Sequence, residues 1–166
     1  MERSEFKIEI CANSVQSCVE ASLGGADRVE LCAGIPEGGT TPSAGMIRSA
    51  RESVGIGLNV IIRPRGGDFL YSKEEVRQML YDIETAKDLG ADGLVFGALC
   101  PDGEIDMRVM SRLMSAAGNL PVTFHRAFDH AKDPLGALEK IISLGCARIL
   151  TSGQRANAEL GAGLLS

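Results

Sequence analysis

Strand-like and helix-like segments alternate six times along the 166-residue chain, which predicts a parallel α/β fold with right-handed crossovers. A helix-end motif supports this by recurring three times, as Leu23-Gly24-Gly25-Ala26-Asp27, Leu89-Gly90-Ala91-Asp92 and Leu144-Gly145-Cys146-Ala147, each running into a strand. The strands themselves suggest how the sheet is shaped. Glu9, Cys11, Glu30, Cys32 and Arg63 alternate with Ile8, Ile10, Val29, Leu31 and Ile62, so one face is polar and the other apolar. An open doubly wound sheet is covered by helices on both faces and wants continuous apolar strands. A barrel interior can hold a polar layer near its mouth. A (β/α)8, TIM-type barrel, here as six β/α units in one partial-barrel domain over residues 1–166, therefore competes with the open sheet. Length favours the open sheet, since a complete barrel typically takes about 250 residues.

The elements follow in order. Residues 7–11 read as the first strand. Asn13 or Ser14 caps a helix that runs to Leu23 and stops at Gly24-Gly25. Residues 28–32 are the second strand, followed by a Gly-rich loop to Thr40. Pro42 suits the first position of the second helix, and residues 58–63 form the third strand. The third helix has the clearest signature. Ser72 and Glu75 make a capping box, an apolar face recurs at Val76, Met79, Leu80, Ile83, Ala86 and Leu89, and Gly90 ends it. Residues 93–96 give the fourth strand, 107–117 the fourth helix and 121–124 the fifth strand. Asp133-Pro134 opens the fifth helix, with Leu135, Leu138, Ile141 and Ile142 predicted as its buried face. Residues 148–150 are the sixth strand, and the chain stops at Ser166 early in a sixth helix.

About 45% apolar and 23% charged residues is ordinary globular composition, which argues against disorder. A net charge of −5 argues against nucleic-acid or anionic-membrane partners. Residues 1–7 are charged and lack the apolar core of a signal peptide, and no apolar run approaches a membrane span. Five cysteines, an odd number, fit reduced thiols in the cytoplasm.

The most informative stretch is Ile61-Ile62-Arg63-Pro64-Arg65-Gly66-Gly67-Asp68-Phe69, a buried strand that breaks abruptly into charge and glycine. Parallel α/β proteins build sites at such C-terminal strand ends. Glu9, Glu30, Arg63, Arg65, Asp68, His125, Arg126 and Asp129 are all expected at or just beyond them. These charges could close on one another, for example Glu30 with Arg63, because unpaired buried charge is costly. They could instead form an anion-binding, acid–base pocket, with arginines gripping a carboxylate or phosphate and His125 moving a proton. His130 reads as a surface residue. Cys11 and Cys32 lie on adjacent strands, about 4.8 Å apart as strands pack, and could share a soft ion such as Cu(I). They could equally be two core cysteines. Cys18, Cys100 and Cys146 read as inert. The Gly38-Gly39-Thr40-Thr41-Pro42-Ser43 loop and Thr151-Ser152-Gly153 offer an anion cradle and hydroxyls, or turn chemistry alone. No Walker, dinucleotide, His-Glu-x-x-His or Gly-x-Ser-x-Gly pattern is present.

Several motifs together resemble the CutC copper homeostasis family. They are Val29-Glu30-Leu31-Cys32, Glu37-Gly38-Gly39-Thr40-Thr41-Pro42-Ser43, Ile62 through Tyr71, Ala91 through Gly97, Thr123 through Asp129, and Leu150-Thr151-Ser152-Gly153. The resemblance covers nearly the whole chain from Lys7. It implies a (β/α)8-type barrel, a cytoplasmic location, homo-oligomer formation and a role in copper homeostasis, with Cu(I) held by Cys11 and Cys32. Family members are expected to run on for two more strand–helix units, so the chain reads as a truncated member. A rival reading is a metal-independent barrel enzyme acting on a small anionic metabolite. There Arg63, Arg65 and Arg126, with Glu9 and Asp68, line the ligand site, and His125, Glu30 and Asp129 supply acid–base chemistry. A third is a non-catalytic subunit whose polar mouth is structural.

Overall fold

The computed structural model describes residues 6–166; residues 1–5 of the charged N-terminal stretch lie outside the described residues. Six strands, β1 (Glu9–Ala12), β2 (Arg28–Leu31), β3 (Gly57–Ile61), β4 (Gly93–Phe96), β5 (Val122–Phe124) and β6 (Arg148–Ile149), pair in sequence order. Every pairing is parallel. Helices α1 (Val15–Leu23), α2 (Ala44–Ser53), α3 (Lys73–Asp88), α4 (Met107–Ala117) and α5 (Pro134–Ser143) make the crossovers, and a short α6 (Ala162–Leu165) follows β6. This is a partial barrel of six β/α units. Among the described residues β1 and β6 each have a neighbour on one side only.

The repeated motif has a physical explanation. At the C-terminus of α1, α3 and α5 a glycine takes a left-handed conformation, with φ of 83° at Gly25, 88° at Gly90 and 79° at Gly145. The following amide closes back on the last helical turn: Ala26 N to Ala21 O (3.0 Å), Ala91 N to Ala86 O (3.0 Å) and Cys146 N to Ile141 O (3.3 Å). These closures satisfy carbonyls that the helix end would otherwise strand. In the first two copies the aspartate then clamps the strand before it. Asp27 Oδ2 accepts from Ile8 N and Asp92 Oδ2 from Leu58 N, each at 2.8 Å. In those two copies the motif thus fixes where β1 and β3 begin as well as where α1 and α3 end.

Strand alternation divides the interior into two layers. Val29, Leu31, Leu58, Val60, Ile62, Leu94, Phe96, Val122 and Phe124 pack outward against Ile47, Met79, Ile83, Met110, Leu113 and Ile141 of the helices. The concave face carries Glu30, Asn59, Arg63, Thr123 and His125, all buried, around a small apolar knot of Cys32, Ile61 and Val95. The polar-inside pattern expected of a barrel is therefore present on the concave face.

Three local expectations are corrected. Pro42 precedes α2 rather than opening it. Thr41 exchanges backbone hydrogen bonds with Arg63, Thr41 N to Arg63 O at 2.9 Å, and its hydroxyl accepts from Arg63 N at 2.9 Å. That keeps the chain extended, and Ser43 becomes the cap, accepting from Met46 N at 3.2 Å. On α5, Ala137 and Ile141 are buried while Leu135 and Ile142 are 67% and 59% exposed. Those two lie seven residues apart on one flank, which no described element covers. Ile8 and Ile10 are likewise open, in a groove beside Ala21 and Gly24, because β1 is an edge strand. The capping box of α3 forms as expected, Ser72 and Glu75 each accepting from the other's backbone amide.

Gly90→Ala places a Cβ at a φ that L-residues rarely adopt, 3.2 Å from Arg51 side-chain carbons. We expect a loss of about 1 kcal/mol or more in unfolding free energy, read as a lower urea midpoint at unchanged m-value. A midpoint equal to the parent's would mean the Gly90 turn does not anchor β4.

Candidate functional site at the C-terminal ends of the strands

A cavity of about 310 Å³ opens at the C-terminal end of the sheet. Cys11 of β1, Glu30 of β2, Arg63 after β3, and His125 and Arg126 after β5 line it, with Phe69 and Leu150 among its apolar walls.

Cys11 and Cys32 converge here, Sγ to Sγ 3.5 Å. The register pairs Cys11 with Glu30 across β1 and β2, so the carboxyl sits beside the thiol pair. Cys32 is fully buried and lies 3.6 Å from Ala12 O, whereas Cys11 is exposed. The hydrogen bond from Cys32 favours the Cys11 thiolate and brings Cys11 down to about 7, against the opposing pulls of burial and the Glu9 charge. The same bond, with burial, pushes Cys32 up. The pair is therefore asymmetric, with the thiolate favoured at Cys11.

Glu30 is 6% exposed, and its Oε2 has no hydrogen-bond partner. Burial pushes its carboxyl up to about 8, with Cys11 and Glu9 adding to the shift, so it is largely protonated at neutral pH. The Glu30–Arg63 pair that the sequence allows does not form. Arg63, 4% exposed, spends its Nη hydrogens on main-chain carbonyls: Glu37 O (2.9 Å), Gly39 O (3.1 Å) and Gly67 O (2.8 Å). Its guanidinium also lies over the Phe69 ring, 4.7 Å from the centroid.

The other side of Phe69 meets His125, with ring centroids 4.9 Å apart. His125 Nδ1 accepts from Ala127 N at 3.3 Å, which puts the proton on Nε2, and Nε2 has no partner. Burial, then the Arg63 charge, drive the imidazole down to about 3, so it is a neutral donor rather than a cation. Gly97 makes room for it, since a Cβ there would stand 2.9 Å from Nδ1 and equally close to Phe124.

Arg126 is half exposed at the rim. Its Nε donates to Asp129 Oδ2 (2.8 Å) and its Nη2 to Ser152 Oγ (2.7 Å). Asp129 lies beneath it, gathering bonds from Thr151 Oγ1 (2.5 Å), Ser152 N (3.1 Å) and Gln154 N (3.0 Å). Burial works against the charged form there. The bonds from Thr151, Arg126, Gln154 and Ser152 outweigh it and hold the carboxyl down near 2.

Not every predicted site residue reaches the cavity. Glu9 is at the opposite, N-terminal end of β1, ion-paired with Arg28 and accepting from Asn59 Nδ2 at 3.0 Å. Arg65 turns away to Glu75 at the start of α3 (2.6 Å) and to Asp68 (2.9 Å), and Asp68 is exposed. Asp129 supports Arg126 from below and does not line the cavity. Residue type alone does not single out Phe69 or Gly97 as parts of the site. A glycine directly after the apolar strand is the signal that marks Gly97. Among the described residues no group of three or more His, Cys, Asp or Glu side chains is placed to hold a metal ion.

Residues 6–166 match the model of the CutC family. The chain belongs to the CutC family. A CutC family protein of Bacteroides thetaiotaomicron is 66% identical over 162 residues, 97% of this chain and 65% of the relative. The human protein named copper homeostasis protein cutC homolog is 54% identical over 160 residues, 96% of this chain and 59% of its own length. The chain thus spans less than two thirds of these relatives. Among solved structures, the CutC protein of Streptococcus agalactiae superposes with a TM-score of 0.84 at 37% identity, covering 91% of this chain and 75% of that one. A protein named as a phosphonomutase, from Burkholderia cenocepacia, superposes with a TM-score of 0.65 at 18% identity, covering 89% and 62%, and shares the fold alone. No helix among the described residues is long and apolar enough to cross a membrane.

A carboxyl raised from 4.5 to about 8 binds its proton more tightly in the folded state, so stability declines as pH rises between those values. Glu30→Gln removes that slope. We expect the variant to gain on the parent as pH is taken from 5 to 8, by a few kcal/mol at the upper end. Urea melts at each pH measure it, and a constant difference would show that Glu30 ionises normally.

Proposed function

We propose that the chain binds Cu(I) through Cys11 and Cys32 as part of cytoplasmic copper homeostasis. The observation that carries this reading is the 3.5 Å approach of the two sulfurs at the mouth of the sheet. Thiolates are soft ligands and select Cu(I) over the hard cations that carboxylates prefer. At a metal–thiolate bond of about 2.3 Å, sulfurs so placed subtend roughly 100° at a shared ion, and a linear arrangement needs a separation of about 4.6 Å. The first geometry leaves further coordination positions open. The second requires the exposed Cys11 to change rotamer. Both are compatible with an ion taken up and handed on, because one ligand is buried and fixed while the other is accessible. The name of the human relative and that of the Streptococcus agalactiae structure support the same reading. Homo-oligomer formation rests on the family resemblance alone.

An anaerobic titration of Cu(I) against a strong chelator tests the reading. One equivalent should be retained, and Cys11→Ser combined with Cys32→Ser should weaken it by about 100-fold or more, while Cys146→Ser leaves it intact. Retention unchanged in the double variant would move copper away from this pair.

A further inference from the structure

Three buried polar atoms on residues that line one cavity are left without partners, and the copper reading uses none of them. Glu30 Oε2, Arg63 Nε and His125 Nε2 belong to residues 6%, 4% and 3% exposed, and all three residues line the 310 Å³ cavity. Buried polar atoms in folded proteins are nearly always paired, so an orphan in a cavity marks where a ligand atom belongs. Here there are three, one on β2 and one each just past β3 and β5, and each states what it requires. His125 gives its Nδ1 to the Ala127 amide, so Nε2 offers a hydrogen and needs an acceptor. Glu30 can be met in either protonation state by a hydroxyl, which both donates and accepts. At the rim, Arg126 is held in place by Asp129 and Ser152 through Nε and Nη2, and its Nη1 has no partner among the described residues. The other guanidinium, Arg63, has both Nη groups committed to loop carbonyls, and its buried Nε hydrogen still needs an acceptor. Arg126 is charge-paired with Asp129 while Arg63 bonds only neutral carbonyls, so one uncompensated positive charge borders the cavity, which suits a monoanion such as a carboxylate better than a phosphate dianion. Ile35, Ile61 and Leu150 complete an apolar wall for a carbon chain, and the volume is at the small end of ligand cavities.

We propose that this cavity is a binding site for a small hydroxy-carboxylate of sugar-acid size. Arg126 and His125 Nε2 take its carboxylate, and Glu30 pairs with a hydroxyl. The site is independent of copper, although Cys11 borders it.

The test uses the chain in its metal-free form with a chelator present, so that a failed Cu(I) titration and a failure here are separate results. The ring protons of His125 are followed by NMR, distinguished from those of His130, the chain's other histidine. Three probes of similar length are added: D-gluconate, the uncharged polyol D-glucitol and the unhydroxylated acid hexanoate. D-gluconate should shift His125 saturably, with a Kd of roughly 1 mM or tighter. D-glucitol and hexanoate, each lacking one half of the recognition, should bind at least about tenfold more weakly. Arg126→Gln, at an exposed position that leaves the fold intact, should weaken D-gluconate by about tenfold or more. Glu30→Gln should retain binding, because the amide still pairs with a hydroxyl. No saturable shift with D-gluconate, equal binding of all three probes, or Arg126→Gln indistinguishable from the parent would each overturn the proposal.

Discussion

The buried guanidinium of Arg63 is the constraint on which the mouth of this sheet depends. It sits just past β3, almost without exposure, and its Nη hydrogens reach Glu37 O and Gly39 O in the loop after β2 and Gly67 O in the loop after β3. Two loops that would otherwise move independently are tied to one side chain. A guanidinium does this where a lysine could not, because its planar fork aims several donors at fixed angles. Phe69 covers one face of the guanidinium and in turn packs against His125, so the ordering passes from β3 to β5. The charge also explains why His125 is a neutral donor. A second cation that close, in so little water, is disfavoured.

The same economy separates the two faces of the sheet. On the outer face, continuous apolar rows pack against the helices. On the inner face, the row Cys11, Glu30, Asn59, Gly93 and the row Ile61, Val95, Thr123, Arg148 mix polar and apolar groups across the register. Polar groups in that position cost stability unless each is paired. Most are paired here, Asn59 with Glu9 and Thr123 with Arg148. The exceptions gather at the C-terminal end, around one cavity.

Much of the fold was legible because it rests on local chemistry. The Leu-Gly repeat, the Ser72–Glu75 box and the Asp133-Pro134 start each specify a backbone geometry within a few residues. The alternation of β1 to β3 revealed a two-faced sheet because side chains on a strand have a period of two. The site was harder to read. A residue beyond a strand end can turn in any direction, and only its eventual partner decides. Arg65 goes to Glu75, ten residues on, in the first turn of α3. Glu9 was misplaced for another reason. Parity gave the correct face, but height along the strand depends on where the strand begins, and Glu9 opens β1. Leu135 and Ile142 satisfied an apolar pattern on α5, yet burial there also depends on which neighbours flank the helix.

The acids of the inner face show how bonding sorts structure from chemistry where residue type does not. Asp129 and Glu30 are both nearly buried carboxyls near the same rim. Asp129 is ringed by two backbone amides, two hydroxyls and a guanidinium, which consume its lone pairs and hold it far into the ionised form. A group so satisfied has nothing left to offer a ligand, and its work is to hold Arg126 in place. Glu30 has no donor to its Oε2, and burial, reinforced by the Cys11 and Glu9 charges, keeps its proton on. Stability alone would replace such a group with an apolar side chain of the same shape at little cost. A purely structural mouth explains Asp129, Ser152 and the Nη groups of Arg63. It leaves Glu30 Oε2, Arg63 Nε and His125 Nε2 without a purpose, and all three belong to residues that line a cavity bordered also by Cys11.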